Sequence, residues 1–364
     1  MTTVNPRTPS QAPAATPASA TLPVRVDERP DAADWDRFVD QHPAASFYHR
    51  WGWRHVFESV FGHECVYLAA SGSQGIAGVL PLVLFRSVLF GRFAVSLPFV
   101  NYGGIVAEQD SVARALLRHA RAVGERNRLS FVELRHLDAR FPELPTRHHK
   151  VAMWLSLPAE VDSLWQRLDR KVRNQIRKAE KSGLTVTSGG SELVGEFYAV
   201  FARNMRDLGT PVYSRSLFER VFHEYPDESR LFVVRLDNEP VAAGATITWR
   251  RTVENPWASS LREHRSLCPN MLLYWAMLKS AIANGATSFD FGRSTPNEGT
   301  FHFKQQWGAT PRPVSWEYQL LGSRDTLPGL SPANPKFRLA IAAWKRLPVP
   351  LATALGPRIV RSIP

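Results

Sequence analysis

The order of hydrophobic patterns along this chain repeats once, and a repeat of that length leaves few folds open. Between about residues 31 and 61, two helical segments carry Trp35, Phe38 and Val39, then Trp53, Val56, Phe57 and Val60. Strand patterns follow at 64–70, 76–85 and 92–97, then an amphipathic helix over 111–127 and strands at 130–135 and 151–157. The second half repeats the order. Helices are expected over 161–182, 192–207 and 216–224, strands at 231–236, 241–249 and 257–261, a helix over 271–284, and strands at 287–291 and 314–320. Two copies of one α/β unit account for 364 residues better than one large sheet does. The divisions are an arm at 1–23, a first unit at 24–157, a second at 158–322, and a tail at 323–364.

Composition narrows the classes. The formal net charge is +12, mostly from Arg, which suits a polyanionic or phosphate-bearing partner. Cys65 and Cys268 give no disulfide framework, so a reducing compartment is expected. Residues 1–23 are rich in Pro, Ala and Thr, lack the charged start and apolar middle of a secretory signal, and read as a disordered arm. The most apolar run, 76–85, is too short to span a bilayer and contains Pro81. The expected location is the cytoplasm, with peripheral contact on the inner face of the membrane through the tail. There Phe337, Ile341, Trp344 and Leu347 share one side, Leu351, Leu355 and Ile359 continue the apolar theme, and Lys336, Arg338, Lys345, Arg346, Arg358 and Arg361 are interspersed. The opposing reading is a C-terminal helix docked on its own domain.

Three segments are candidates for chemistry. The first, Asp290 to Ala309, reads D-F-G-R-S-T-P-N-E-G-T-F-H-F-K-Q-Q-W-G-A. Gly292, Pro296 and Asn297 require a sharp turn after a strand ending near Phe291, and a short helix from Glu298 would place Phe301, Lys304 and Gln305 on one side. Lys304 could stabilise the oxyanion formed when an amine or hydroxyl attacks an acyl carbon. Asp290 or Glu298 could take the proton, and Arg293 could bind a substrate anion. An internal salt-bridge network is the structural alternative. In the second segment, within 168–183, Arg170, Arg173 and Arg177 form a basic stripe opposite Leu168, Val172, Ile176 and Ala179, placed to hold substrate phosphates. The third, P-F-V-N-Y-G-G, pairs Gly103 with Gly104, which either admits a ligand close to the backbone or makes a tight hairpin with Tyr102 packing. The run S-F-Y-H-R-W-G-W from Ser46 reads as core. No spacing matches a zinc site, a Ser-His-Asp arrangement, a P-loop or a dinucleotide fingerprint.

Asp290–Ala309, together with L-D-R-K-V-R-N-Q-I-R-K-A-E-K-S-G and P-F-V-N-Y-G-G, resembles the bacterial FemAB peptidyltransferases over about residues 30–322. It looks most similar to the subgroup associated with exosortase (PEP-CTERM) and exopolysaccharide loci, and it is also similar to the BioF2-like acetyltransferases. The resemblance implies an α/β fold of two tandem acetyltransferase-like (GNAT) domains with mixed central sheets. It also implies transfer of an aminoacyl or acetyl group, in a cleft between the domains, to a phosphate-bearing saccharide or peptidoglycan-type precursor. Lys304 matches a Lys implicated in catalysis, and the basic helix matches one that binds substrate phosphates. Phe303, Asn101, Tyr102, Gly103 and Gly104 fall within the matching motifs and are candidate substrate contacts. No tightly bound cofactor or metal is implied, and the acyl donor is aminoacyl-tRNA or acyl-CoA. Three departures stand out. The coiled-coil insertion linked to tRNA binding is missing, and Arg265-Ser-Leu-Cys-Pro-Asn replaces a glycine-rich acyl-CoA loop. The family's substrate-binding Lys after the first aromatic motif also has no clear match, with Arg54 and His55 nearby. A non-catalytic scaffold of a polysaccharide or sorting system is the alternative function.

Overall fold

The computed structural model describes residues 24–87, 90–322, 326–327 and 335–363, so the expected arm at 1–23 lies outside the described residues. The first half runs β1 (Arg25–Asp27), α1 (Ala32–Gln41), α2 (Gly52–Val56), β2 (Glu64–Gly72), β3 (Gly75–Ser87) and β4 (Gly91–Val95). It continues through β5 (Val106–Ala107), α3 (Asp110–Arg126), β6 (Phe131–His136), β7 (Thr146–Arg147) and β8 (Val151–Ser156). The second half begins with α4 (Val161–Arg167), α5 (Arg170–Lys181), β9 (Thr185–Gly189), α6 (Val194–Leu208) and α7 (Arg215–Glu224). Then come β10 (Ser229–Leu236), β11 (Glu239–Trp249), β12 (Thr252–Ser260), α8 (Pro269–Ala283) and β13 (Ser288–Ser294). Short α9 (Gly299–Gln305), β14 (Thr310–Pro313) and β15 (Ser315–Leu320) follow, and α10 (Pro335–Trp344) and α11 (Val349–Val360) end the chain.

Local chemistry sets these elements. Asp31 caps α1 by accepting from Ala33 N and Asp34 N at 2.9 and 3.0 Å, and the helix buries Trp35, Phe38 and Val39. Helix α3 buries Val112, Leu116, Ala120 and Val123, one helical stripe. The single helix expected over 161–182 is two. Leu168 and Asp169 are extended, Leu168 turns into the core, and α5 starts afresh after Asp169.

The repeat is visible in the sheets. In each, three antiparallel strands lead through a helix to a strand that lies parallel to the third. Strand β4 pairs with β6 across α3, and β12 with β13 across α8. The strand expected to close each unit goes to the other sheet. The first sheet is ordered β1-β2-β3-β4-β6-β15-β7 and the second β14-β8-β13-β12-β11-β10-β9. Strand β8, expected to close the first unit, sends Val151, Met153 and Leu155 into the core of the second. An alternating pattern fits either sheet, which is why period alone assigns it to its neighbour in sequence.

The exchange is tied down by Glu317 of β15. It is fully buried, accepts from the backbone N–H groups of Arg140 and Phe141 at 3.0 and 2.5 Å, and meets His136 Nδ1. A large aromatic core crosses the same boundary, joining Trp35, Phe47, Tyr48 and Trp53 to Phe197, Phe218 and Trp257. Separate cores lie under α3 and under α8. A fragment of residues 24–157 lacks β15 and carries β8 unpaired, so it is expected to show no cooperative thermal transition by circular dichroism. A sharp melt of the fragment would show that the exchange is dispensable.

Candidate active site between the two halves

The site begins where a parallel pair ends. Strands β12 and β13 are in register only through Thr252↔Ser288, Val253↔Phe289 and Glu254↔Asp290, although β12 continues to Ser260 and β13 to Ser294. Val253, Phe289 and Phe291 face the core under α8, so the alternating Glu254 and Asp290 face the other way, toward the first half. Both carboxylates line a cavity of about 530 Å³ whose walls come from both halves, including Phe47, Tyr102, Arg135, Trp154 and Arg312.

Each carboxylate has its own partners. Tyr102 Oη donates to Asp290 Oδ2 at 2.5 Å and Gly292 N to Oδ1 at 2.8 Å, so both oxygens of Asp290 are used. Tyr48 Oη donates to Glu254 Oε1 at 2.6 Å, and Asn101 Nδ2 donates to the same oxygen. Glu254 Oε2 is therefore the oxygen without a hydrogen-bond donor among the described residues. Arg293 Nε donates to Asn101 Oδ1 at 3.0 Å, linking the cation to the pair. Burial raises the pKa of both carboxyls, that of Glu254 further because the Asp290 charge adds to its desolvation. Burial, then Arg135, lowers Arg293 to about 10.

The loop P-F-V-N-Y-G-G delivers Asn101 and Tyr102, and it is strained. Leu97 and Phe99 sit at φ +56° and +67°, which non-glycine residues rarely adopt. Internal packing requires the paired glycines. A Cβ at Gly104 would fall 1.9 Å from His136 Cδ2, and one at Gly103 would fall 2.4 Å from Leu97 Cβ. Both glycines still line the cavity.

The structure brings together Asp290, Arg293, Asn101, Tyr102, Gly103 and Gly104, and it puts the other expected site residues elsewhere. Lys304 is buried behind the cavity, donating to Gly292 O and Arg293 O at 3.1 and 2.8 Å, and burial lowers its pKa to about 8. Glu298 is exposed at the start of α9. Phe303 packs against Tyr274 and Trp307. The buried side of α9 is Phe301 and Lys304, while Gln305 is exposed. Strand β13 does not turn after Phe291. It continues to Ser294, with a register shift against β8 at the left-handed Gly292, and the turn comes at Asn297. Arg170, Arg173 and Arg177 do not line the cavity. Helix α5 buries Val172, Ile176 and Ala179 in the core under α8, on the face of the sheet opposite Glu254. Its exposed Arg177, Lys178 and Lys181 line a separate shallow depression.

Sequence reasoning misses Glu254 because Pro256 argues against a strand, which pattern alone starts at Trp257. Pro256 is tolerated because it lies at an irregularity between β11 and β12 and beyond the last pairing with β13. Tyr48 reads as core in the sequence. It is fully buried there, with only its hydroxyl reaching the site. Among the described residues, no three His, Cys, Asp or Glu side chains are grouped to hold a metal ion.

Residues 166–305 match the acetyltransferase (GNAT) domain family. Among solved structures, FemX is similar at 15% identity with a TM-score of 0.63, over 82% of this chain and 97% of FemX. L-PGS from Bacillus licheniformis is similar at 12% identity with a TM-score of 0.54, over 92% of this chain and 98% of that one. A conserved protein of unknown function from Bacteroides thetaiotaomicron is similar at 9% identity and TM-score 0.57, over 82% and 100%. None of the curated proteins matches. Likeness at these identities concerns the fold, which is two tandem GNAT units with mixed central sheets.

Two substitutions test this geometry. Removing the buried Lys304 ammonium leaves two carbonyls without their donor, so Lys304→Met is expected to cost about 2–4 kcal/mol in urea unfolding. Because the Glu254 pKa is raised, the folded state keeps a proton that the unfolded chain releases above its ordinary value of 4.5. The stability from this group is full below that value and is lost as pH rises through the raised folded one. Glu254→Gln is therefore expected to melt above wild type at about pH 9, with the difference shrinking toward about pH 5. A melting difference independent of pH would contradict the raised pKa.

Proposed function

We propose that this GNAT-type chain is an acyltransferase in which Glu254 is the general base, acting on an acceptor held in the cavity between the halves. The observation that carries the reading is the pair of carboxylates at the end of the β12–β13 pairing, Asp290 buried and Glu254 half-buried, only one of which has an oxygen to spare. Asp290 has both oxygens occupied, so it fixes geometry and raises its neighbour. Glu254 lines the cavity and keeps Oε2 free of donors among the described residues, with an affinity for protons raised toward the working range of a general base.

The reaction is an acyl transfer. The acceptor's nitrogen or oxygen bonds to the acyl carbon while its proton passes to Glu254. The bond from that carbon to the donor's oxygen or sulfur then breaks, and the proton returns to the leaving group. Aminoacyl-tRNA and acyl-CoA both fit this chemistry as donors. The acceptor we favour is an amine- or hydroxyl-bearing envelope or exopolysaccharide precursor with a phosphate. Its support is the motif resemblance together with Arg135, Arg140 and Arg312 in the cavity wall. Lys304 and Arg293 act as positioning residues that hold β13 and Asn101 in place.

Glu254→Gln should lower kcat by about 10²–10³ with a smaller change in KM, and should abolish the limb of the pH–rate profile that rises above the ordinary carboxylate range. The assay pairs candidate acceptors with acyl-CoA and aminoacyl-tRNA in turn. A Glu254→Gln enzyme that keeps the wild-type rate and profile with its best donor would remove Glu254 from the mechanism.

A further inference from the structure

The two C-terminal helices are half docked. Ala352, Gly356 and Val360 form the buried side of α11, and Gly356 lies so close to Val212 that a Cβ would fall 2.6 Å from its backbone N and O. Arg206 Nη1 donates to Leu347 O at 2.6 Å and pins the turn between α10 and α11. Of the two readings the sequence left open for the tail, Trp344 follows the docked one, buried in the shared aromatic core.

The other side has no cover among the described residues. Among the described residues, every large hydrophobic side chain classed as exposed belongs to this region or adjoins it: Leu208, Leu339, Leu351, Leu355, Ile359 and Ile363. Leu208 precedes Gly209, against which Ile341 and Lys345 of the tail pack. Leu351, Leu355 and Ile359 recur at i, i+4 and i+8, so they form one stripe on α11. Lys345, Arg346, Arg358 and Arg361 are exposed around them, and none pairs with an acid among the described residues. From residue 326 to the end the chain has six Lys and Arg and no Asp or Glu.

We propose that this free face is a peripheral docking surface for anionic phospholipid. Apolar side chains ringed by unneutralised cations, with no acids, match the acyl boundary and the charged headgroups of such a membrane. A second copy fits poorly, because a two-fold contact would set these cations against their equals. A nucleic acid would leave the Leu and Ile stripe in water. No helix among the described residues is long and apolar enough to cross a bilayer, so the contact lies in the interface plane.

Vesicle flotation of the full chain tests this. Vesicles of phosphatidylglycerol and phosphatidylcholine in equal parts should bind at least about tenfold more tightly than phosphatidylcholine alone, and high salt should release the protein. Reversing the four exposed cations to Glu, or changing Leu351, Leu355 and Ile359 together to Ser, should each weaken binding by about tenfold or more, with an unchanged thermal melt. Salt release of the wild type covers the case in which a variant fails to fold. Equal affinity for both vesicles, no binding, or loss of binding on reversing Arg170, Arg177 and Lys178 of α5 instead would each overturn the proposal. So would a concentration-dependent dimer in sedimentation equilibrium that the Ser variant abolishes.

Discussion

The site depends on where one parallel strand pair stops. Had β12 and β13 stayed in register past Glu254 and Asp290, the second sheet would close at that point. Instead the pairing ends after three residue pairs, and the two carboxylates on its last rung face a space that the first half roofs over. Two acids held side by side and largely desolvated cannot ionise as two exposed acids do, and the partners decide which one gives way. Tyr102 and the Gly292 amide favour the ionised form of Asp290, so the proton is shed less readily by Glu254.

The same constraint explains why the halves are interlocked. Glu254 and Asp290 belong to the second unit, but Tyr48, Asn101 and Tyr102 belong to the first. Hydrogen bonds across such a boundary need it to be rigid to a fraction of an ångström. The exchange of β8 and β15 supplies that rigidity, because neither sheet is complete without a strand from the other half. Trp316 of β15 adds to it by lying between two cations, Arg135 of the first unit at 4.3 Å and Arg293 of the second at 5.1 Å.

The repeat was legible in the sequence because strand and helix periods survive translation from pattern to structure, and the order of elements carries the topology of each unit. What was not legible is whatever depends on one unit meeting the other. The alternation in Val151–Ser156 says that it is a strand but not in which sheet it lies. The stripe of Arg170, Arg173 and Arg177 says that α5 has a wet face. It cannot say that this face lies across the sheet from the cavity. Glu254 was hidden by its neighbour, since Pro256 is allowed in β12 only because of the pairing irregularity. Lys304 was conspicuous as a charge within an apolar motif, and burial gave it a structural task on the carbonyls of Gly292 and Arg293.

The base strength of Glu254 is then a property of the closed interface rather than of the residue. Its largest cause is desolvation, which the roof over the cavity supplies. Any separation of the halves that admitted water would lower its proton affinity and break the bonds from Tyr48 and Asn101 together. In the proposed reaction an acceptor filling the cavity would do the opposite: it would displace water and strengthen the base at the moment its own proton must leave. The proposed mechanism thereby couples binding and activation through one variable, the dryness of the space between two GNAT units. The first unit thus contributes a wall of the cavity and two hydrogen-bond donors to the proposed base, a carboxylate it does not contain.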